Sequence, residues 1–283
     1  MDAREFQVGE ATVWVFDTGA LELGLEEVFD PKVRLSNFFG RRELETPGAF
    51  PTHSFLIQSS EAVVVVDPSD YGRLVAPGHF KSPGGYSPPP PLIEQMEGAG
   101  VSTSDVTNVV ITHLHFDHFA GVTRESGGRL IPTFPRARYL VPKRDWEMAS
   151  IADARVKGDR DVTDTLGVIE IAGKMDLLDN EMRIGAGVMV EPFRGESPGH
   201  QIIGLKSEGD SCYCVGDLYH FKQEVQHPEL KAIWTDGPAL VASRRRFARR
   251  AAAEKALVLA GHLPPGRINM EAGRTKWSEL RRR

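Results

Sequence analysis

The sequence predicts an α/β protein built as a four-layer αββα sandwich with mixed sheets, and two observations lead there. Strand patterns and helix patterns recur through both halves of the 283-residue chain, and each strand-rich half is closed by a helical stretch. Two sheets packed face to face with helices outside bury both sets of apolar faces. The chain is read as one domain, 1–283.

The elements follow in order. Val13, Trp14, Val15 and Phe16 mark a first strand over Ala11 to Thr18. Segment 19–51 then carries Pro31, Gly40, Pro47 and Gly48 with the apolar Leu35, Phe38, Phe39 and Phe50. It is expected to be irregular and near the active site, because loops this long usually serve a function. His53 to Gln58 and Ala62 to Val66 form a hairpin around Ser59, Ser60 and Glu61, ending in Asp67-Pro68. A second irregular segment, 69–91, contains Pro77, Pro83 and the run Pro88 to Pro91, which excludes regular helix or central strand, and it too is expected near the active site. Leu92 to Gly98 reads as a helix, Asn108 to Thr112 as a buried strand, and a helix is expected after Ala120. Tyr139 to Pro142 is a strand and Lys143 to Ile151 begins a helix. In the second half Met182 to Glu191, Ile202 to Ser207 and Ser211 to Val215 alternate like antiparallel strands. Pro238 to Lys255 is helical, and Leu257 to Ala260 is a buried strand running into Gly261-His262.

Composition sets bounds. With 34 Lys+Arg against 39 Asp+Glu the formal net charge is −5, which gives no general support for nucleic-acid or anionic-membrane partners. Hydrophobic residues at 41 % and charged residues at 26 % exclude a disordered or fibrous chain. Cys212 and Cys214, one residue apart, form neither a disulfide framework nor a CxxC motif; they read as buried small hydrophobes of a strand. Met1 to Glu10 lacks a signal-peptide core and no apolar run of about 18 residues occurs, so a cytoplasmic protein is expected. Arg244, Arg245, Arg246, Arg249 and Arg250 are read as a solvated helix face; nucleic-acid binding by that helix is the alternative, and it would be strongly salt-dependent.

The nine histidines are distributed far from randomly. In Ile111-Thr112-His113-Leu114-His115-Phe116-Asp117-His118, four potential metal ligands lie within six residues, directly after a strand. Imidazole and carboxylate are the donors a borderline metal such as zinc selects. His113 and His115 would point the same way if extended, while Asp117 and His118 could face a second metal about 3.5 Å away.

At these residues the chain resembles the metallo-β-lactamase superfamily, whose HxHxDH motif is matched by His113, His115, Asp117 and His118. Asp67 matches the first motif, a carboxylate supporting the site from behind. His200 in Ser197-Pro198-Gly199-His200 matches the third, Asp217 in Gly216-Asp217 the fourth and His262 in Gly261-His262 the fifth. The resemblance implies one metal on His113, His115 and His200, another on Asp117, His118 and His262, and Asp217 bridging them. Two divalent ions are implied, Zn2+ first, with Mn, Fe or Co as alternatives.

The implied chemistry is hydrolysis, with attack by a hydroxide that bridges the metals. The segment from Gly216 to His220, Ser243-Arg244 and the stretch Gly261 to Ile268 look most like the lactonase and methyl-parathion-hydrolase-like branch. That implies opening of lactones or related carboxylic esters. An organophosphate triesterase and an iron-dependent sulfur dioxygenase remain alternatives. A two-iron redox branch carries glutamate where this chain has His115. The lactonase branch has a tyrosine donor three residues after the bridging aspartate; here Tyr219 stands at the second position and His220 at the third. The candidate catalytic residues are therefore Asp117, His220 and Tyr219, with His220 as an oxyanion donor or proton carrier. The apolar side chains from Leu35 to Phe50 would wall a pocket for a small uncharged substrate. His79 and His227 read as solvated loop residues and His53 as structural. No nucleic acid and no membrane partner is expected, and the sequence leaves monomer and homodimer open.

Overall fold

The computed structural model describes residues 3–45, 48–76 and 78–280; Pro47 and Pro77, which helped to mark the irregular segments, lie outside them. Two seven-stranded sheets form the centre. The first runs in chain order through Arg4–Val8, Ala11–Leu23, Gly48–Gln58, Val63–Val66, Asn108–Val110, Arg138–Pro142 and Met175–Leu178. Its first three junctions are antiparallel and its last three parallel. The second sheet comprises Met182–Gly185, Val188–Pro192, Gln201–Ser207, Asp210–Cys214, Leu257–Leu259, Gly266–Glu271 and Arg274–Glu279. Its single parallel pair, Asp210–Cys214 with Leu257–Leu259, is connected through the helix Gly237–Glu254.

Period-two alternation explains why both faces of each sheet are covered. Val13 and Val15 point between the sheets, with Ile57, Val64 and Val110, onto Val190, Ile203, Cys212 and Cys214. Trp14 and Phe16 point outward, with Val109 and Tyr139, under the helix side chains Leu92, Met96, Leu166 and Ile169. Tyr213 likewise faces outward onto Leu240, Phe247 and Ala251 of the long helix. The two cysteines are free and buried, as their strand pattern indicates.

Four readings need correction. Segment 19–51 is irregular only in its middle: the first strand continues to Leu23 and pairs with Gly48–Gln58, from Gly19↔Thr52 to Leu23↔Gly48. A register shift between Asp17 and Gly19 bends this ribbon. Gly19 has φ +142°, and a Cβ there would lie 2.2 Å from the Tyr71 ring. The helix expected after Ala120 is instead the hairpin Thr123–Ser126 with Arg129–Pro132, turned by Gly127 and Gly128, both with positive φ. The stretch from Met182 to Glu191 is two strands folded back at Ala186-Gly187, and the C-terminal hairpin Gly266–Glu271 with Arg274–Glu279 was not read from sequence. Finally, the arginines are not one solvated face: Arg244 is 1 % exposed, Arg246 stacks on Phe193 and Arg250 pairs with Glu191.

Candidate metal centre

Loops leaving both sheets meet at one edge. Asp67 directly follows Val63–Val66 and has φ +50°, a left-handed conformation that aspartate tolerates better than most residues. In this position its carboxylate lies under the next loop: Oδ1 accepts from the Thr112 backbone N–H at 2.7 Å, and Oδ2 accepts from Thr112 Oγ1 at 2.7 Å. Oδ2 also accepts from His118 Nδ1 at 2.9 Å. Thr112 meets the other sheet as well. Gly216 has φ +49°, and a Cβ on it would stand 2.4 Å from Thr112 Oγ1, so only glycine lets Asp217 enter the site from this side. Buried Asp145 ties the remaining loops together, accepting from Leu114 N, Ser197 Oγ and Gly199 N.

The donors converge. His113 Nε2 lies 2.9 Å from His115 Nδ1 and 3.6 Å from Asp217 Oδ2. His118 Nε2 lies 3.4 Å from Asp117 Oδ2 and 3.3 Å from Asp217 Oδ1. His262 Nε2 lies 3.4 Å from Asp117 Oδ2 and 3.1 Å from Asp217 Oδ1. Asp217 thus stands between two donor groups. Four imidazoles are oriented from behind: Nδ1 of His113, His118, His200 and His262 hydrogen-bonds to Thr112 Oγ1, Asp67, the Phe193 carbonyl and the Pro51 carbonyl. That arrangement turns each Nε2 toward the centre.

The buried charges act on one another in opposite directions. Burial, reinforced by the charges of His118 and His115, holds His113 well below the usual imidazole range, and burial pushes His200 down to about 4. Burial opposes ionisation of Asp217, but His118, His262 and His220 outweigh it and hold that carboxyl well below its usual range. The reverse applies to His118, where Asp217, Asp117 and Asp67 outweigh burial and raise it. Whether divalent cations suit these residues can be tested on orphaned atoms: His118 Nε2, His200 Nε2, Asp217 Oδ1 and Glu196 Oε2 are buried without a hydrogen-bond partner. Such atoms are costly unless a ligand satisfies them. Bare imidazole nitrogens and carboxylates are the donor set of borderline divalent ions, and the residues fit.

Of the candidate catalytic residues, Asp117 and His220 line a cavity of about 260 Å³ beside this cluster. His220 Nε2 is 3.2 Å from Asp217 Oδ2. Tyr219 is a correction. Its side chain points the other way, into the core against Phe247, and its hydroxyl donates to the Arg244 carbonyl at 3.0 Å. Adjacent residues on an extended stretch face opposite sides, and Tyr219 is extended at φ −140°, ψ 120°. The apolar loop is a second correction. Among the described residues of that loop only Phe50 reaches the cavity, whereas Leu35, Phe38 and Phe39 pack with Phe29, Leu230 and Phe221. Phe80 supplies a wall from segment 69–91, the second segment expected near the site. His53 is structural, its N–H and Nδ1 both on the Gly261 carbonyl. His79 is paired with Asp161 at 2.8 Å, and His227 lies on Phe38 and beside Glu229.

Glu196, Trp234 and Glu224 were missed. Glu196 is buried among the donors and accepts from Trp234 Nε1 at 2.7 Å; Glu224 accepts from the His220 backbone N–H at 2.6 Å. None has a motif spacing; adjacency to the Ser197-Pro198-Gly199-His200 run was the one available sign for Glu196.

A two-sheet sandwich with histidine and aspartate donors gathered at one edge is the architecture of metal-binding αββα proteins. The chain belongs to the metallo-beta-lactamase superfamily, whose family model matches residues 47–268. An N-acyl homoserine lactonase, AttM, from Azorhizobium caulinodans is 28 % identical over 180 residues, or 61 % of this chain. That match spans 64 % of the relative's length. Two solved structures share the fold at a TM-score of 0.77, each covering 100 % of this chain and 98 % of its own. They are AidC, a dizinc quorum-quenching lactonase in complex with a product, at 19 % identity, and the hydrolase AbOPH, at 17 %.

Proposed function

We propose that this chain is a metal-dependent hydrolase that opens lactones or related carboxylic esters on two divalent cations. The observation that carries the reading is the position of Asp217, whose two oxygens lie within 3.6 Å of His113 Nε2 and 3.3 Å of His118 Nε2, beside an apolar cavity. His113, His115 and His200 would hold one cation and Asp117, His118 and His262 the other, with Asp217 shared. Bound there, such cations supply Lewis acidity toward a carbonyl and acidify a water.

The chain's own residues supply the rest. Leu21, Leu23, Phe50, Phe80, Phe116 and Trp234 give the cavity apolar walls, which suit an uncharged acyl group and exclude water from it. His220 lies at the wall nearest Asp217, where it can donate a hydrogen bond to the oxygen that gains charge as the ester opens. Asp117, exposed to the same cavity, can take a proton from the attacking water or return one to the leaving alkoxide. The AttM and AidC likenesses support a lactone as the substrate class.

Elemental analysis of the purified protein and turnover of a lactone panel, run beside an aryl phosphotriester, test this reading. About two metals per chain and lactone hydrolysis lost on chelation are expected. Preference for the phosphotriester would reassign the substrate, and oxygen uptake with a persulfide would reassign the reaction.

A further inference from the structure

One carboxylate in the donor cluster belongs to none of the five motifs. Glu196 is 1 % exposed, and its ion-pairing partners among the described residues are His113, His115 and His220. Oε2 has no hydrogen-bond partner, while Oε1 is fixed by Trp234 Nε1. A buried carboxylate oxygen left without a donor is costly, and a cation held by the same imidazoles would satisfy it.

The direction of approach supports this. A carboxylate that merely orients a metal-binding imidazole hydrogen-bonds to the ring nitrogen turned away from the metal, as Asp67 does to His118 Nδ1. Glu196 instead faces the inner nitrogens. Oε2 is 3.7 Å from His113 Nε2 and Oε1 is 3.4 Å from His115 Nδ1, while Nδ1 of His113 is occupied from behind by Thr112. Ligands at about 2.1 Å from a tetrahedral ion are separated by about 3.4 Å. The four donors His113, His115, Glu196 and Asp217 each offer an atom within 4.8 Å of the others, close enough for a bound cation to draw them in.

We propose that Glu196 is a further metal ligand of the His113–His115 site, making the centre a three-carboxylate one with Asp117 and Asp217. This rests on the metal-dependent reading above. Two dications with two carboxylates carry a net +2, and the third carboxylate lowers this to +1. A harder, more oxygen-rich donor set with His200 also at hand favours coordination above four and ions such as Mn2+, Fe2+ or Co2+ over tetrahedral Zn2+.

The test uses Co2+ as probe, titrated into chelator-stripped wild type and E196Q, with binding followed by competition and by visible ligand-field absorbance. Glutamine keeps an acceptor for Trp234 Nε1. Wild type is expected to take up two Co2+ per chain; E196Q is expected to bind one of them about 10- to 100-fold more weakly, with a changed absorption intensity. Two ions bound by E196Q with wild-type affinity and spectrum overturn the proposal while leaving the hydrolase reading in place. A wild type that binds no cobalt overturns both. Should E196Q fail to fold, E196D, whose carboxylate is drawn back by one methylene, is expected to show the same one-site loss, and wild-type binding in E196D overturns the proposal.

Discussion

Arg244 Nη2 lies 2.8 Å from Glu224 Oε1, an ion pair with both partners buried. Arg244 Nε donates to the Leu218 carbonyl at 2.7 Å, and Nη1 donates to the carbonyl of Leu230. Glu224 Oε2 accepts from the backbone N–H groups of His220 and Phe221. The pair therefore fastens the segment that carries His220 to the long helix. R244M leaves the buried Glu224 without its guanidinium partner, and a loss of about 3–5 kcal/mol is expected in urea denaturation.

Two adjacent side chains face opposite ways, His220 toward Asp217 and Tyr219 into the core. H220F is expected to lower kcat on a lactone about 100-fold with metal content unchanged. Y219F removes a hydroxyl that donates in the core and is expected to keep kcat within about twofold while costing about 1–2 kcal/mol of stability. Steady-state kinetics and denaturation of both variants settle the assignment; equal losses of kcat would refute it.

Asp67 orients His118 and carries the Thr112 turn. D67N is expected to weaken metal retention about 10- to 100-fold, measured by chelator competition. Its melting temperature with metal should fall toward that of the stripped wild type.

His79 ties the segment bearing Phe80 to Asp161, and the hydrogen bond it donates to that carboxylate raises its pKa above 6.5. A raised folded pKa means the pair's stabilisation is complete below the unfolded value near 6.5 and is lost as pH rises through the folded value. The pair is solvent-screened, so less than about 1 kcal/mol is at stake. D161N is expected to raise KM for a lactone at pH 6, and the difference from wild type is expected to shrink as pH rises and His79 loses its charge.

The site was legible wherever its residues are close in the chain. His113, His115, Asp117 and His118 stand on one turn after one strand, so their spacing alone brings them together. Asp217 and His262 follow strand ends and His200 immediately precedes the strand Gln201–Ser207, and all three required the family pattern to join them. Glu196 was not legible, because a lone glutamate has no period and its burial depends on Trp234 from another loop. The ribbon from Gly19 to Leu23 was missed because its partner, Gly48–Gln58, lies beyond a segment dense in glycine and proline.

The sequence by itself determined the layered class, the strand cores and the donor types, since alternation and motif spacing are short-range properties of the chain. Tertiary structure decided which neighbours face the metals and which face the core. Tyr219 and His220 are adjacent in sequence, yet the sheet and helix packed on either side send one hydroxyl to Arg244 and one imidazole to Asp217. Arg244 was turned inward by the same packing, because the carbonyls and carboxylate that satisfy it come from segments 14 to 26 residues away, and only the folded chain sets them around one guanidinium.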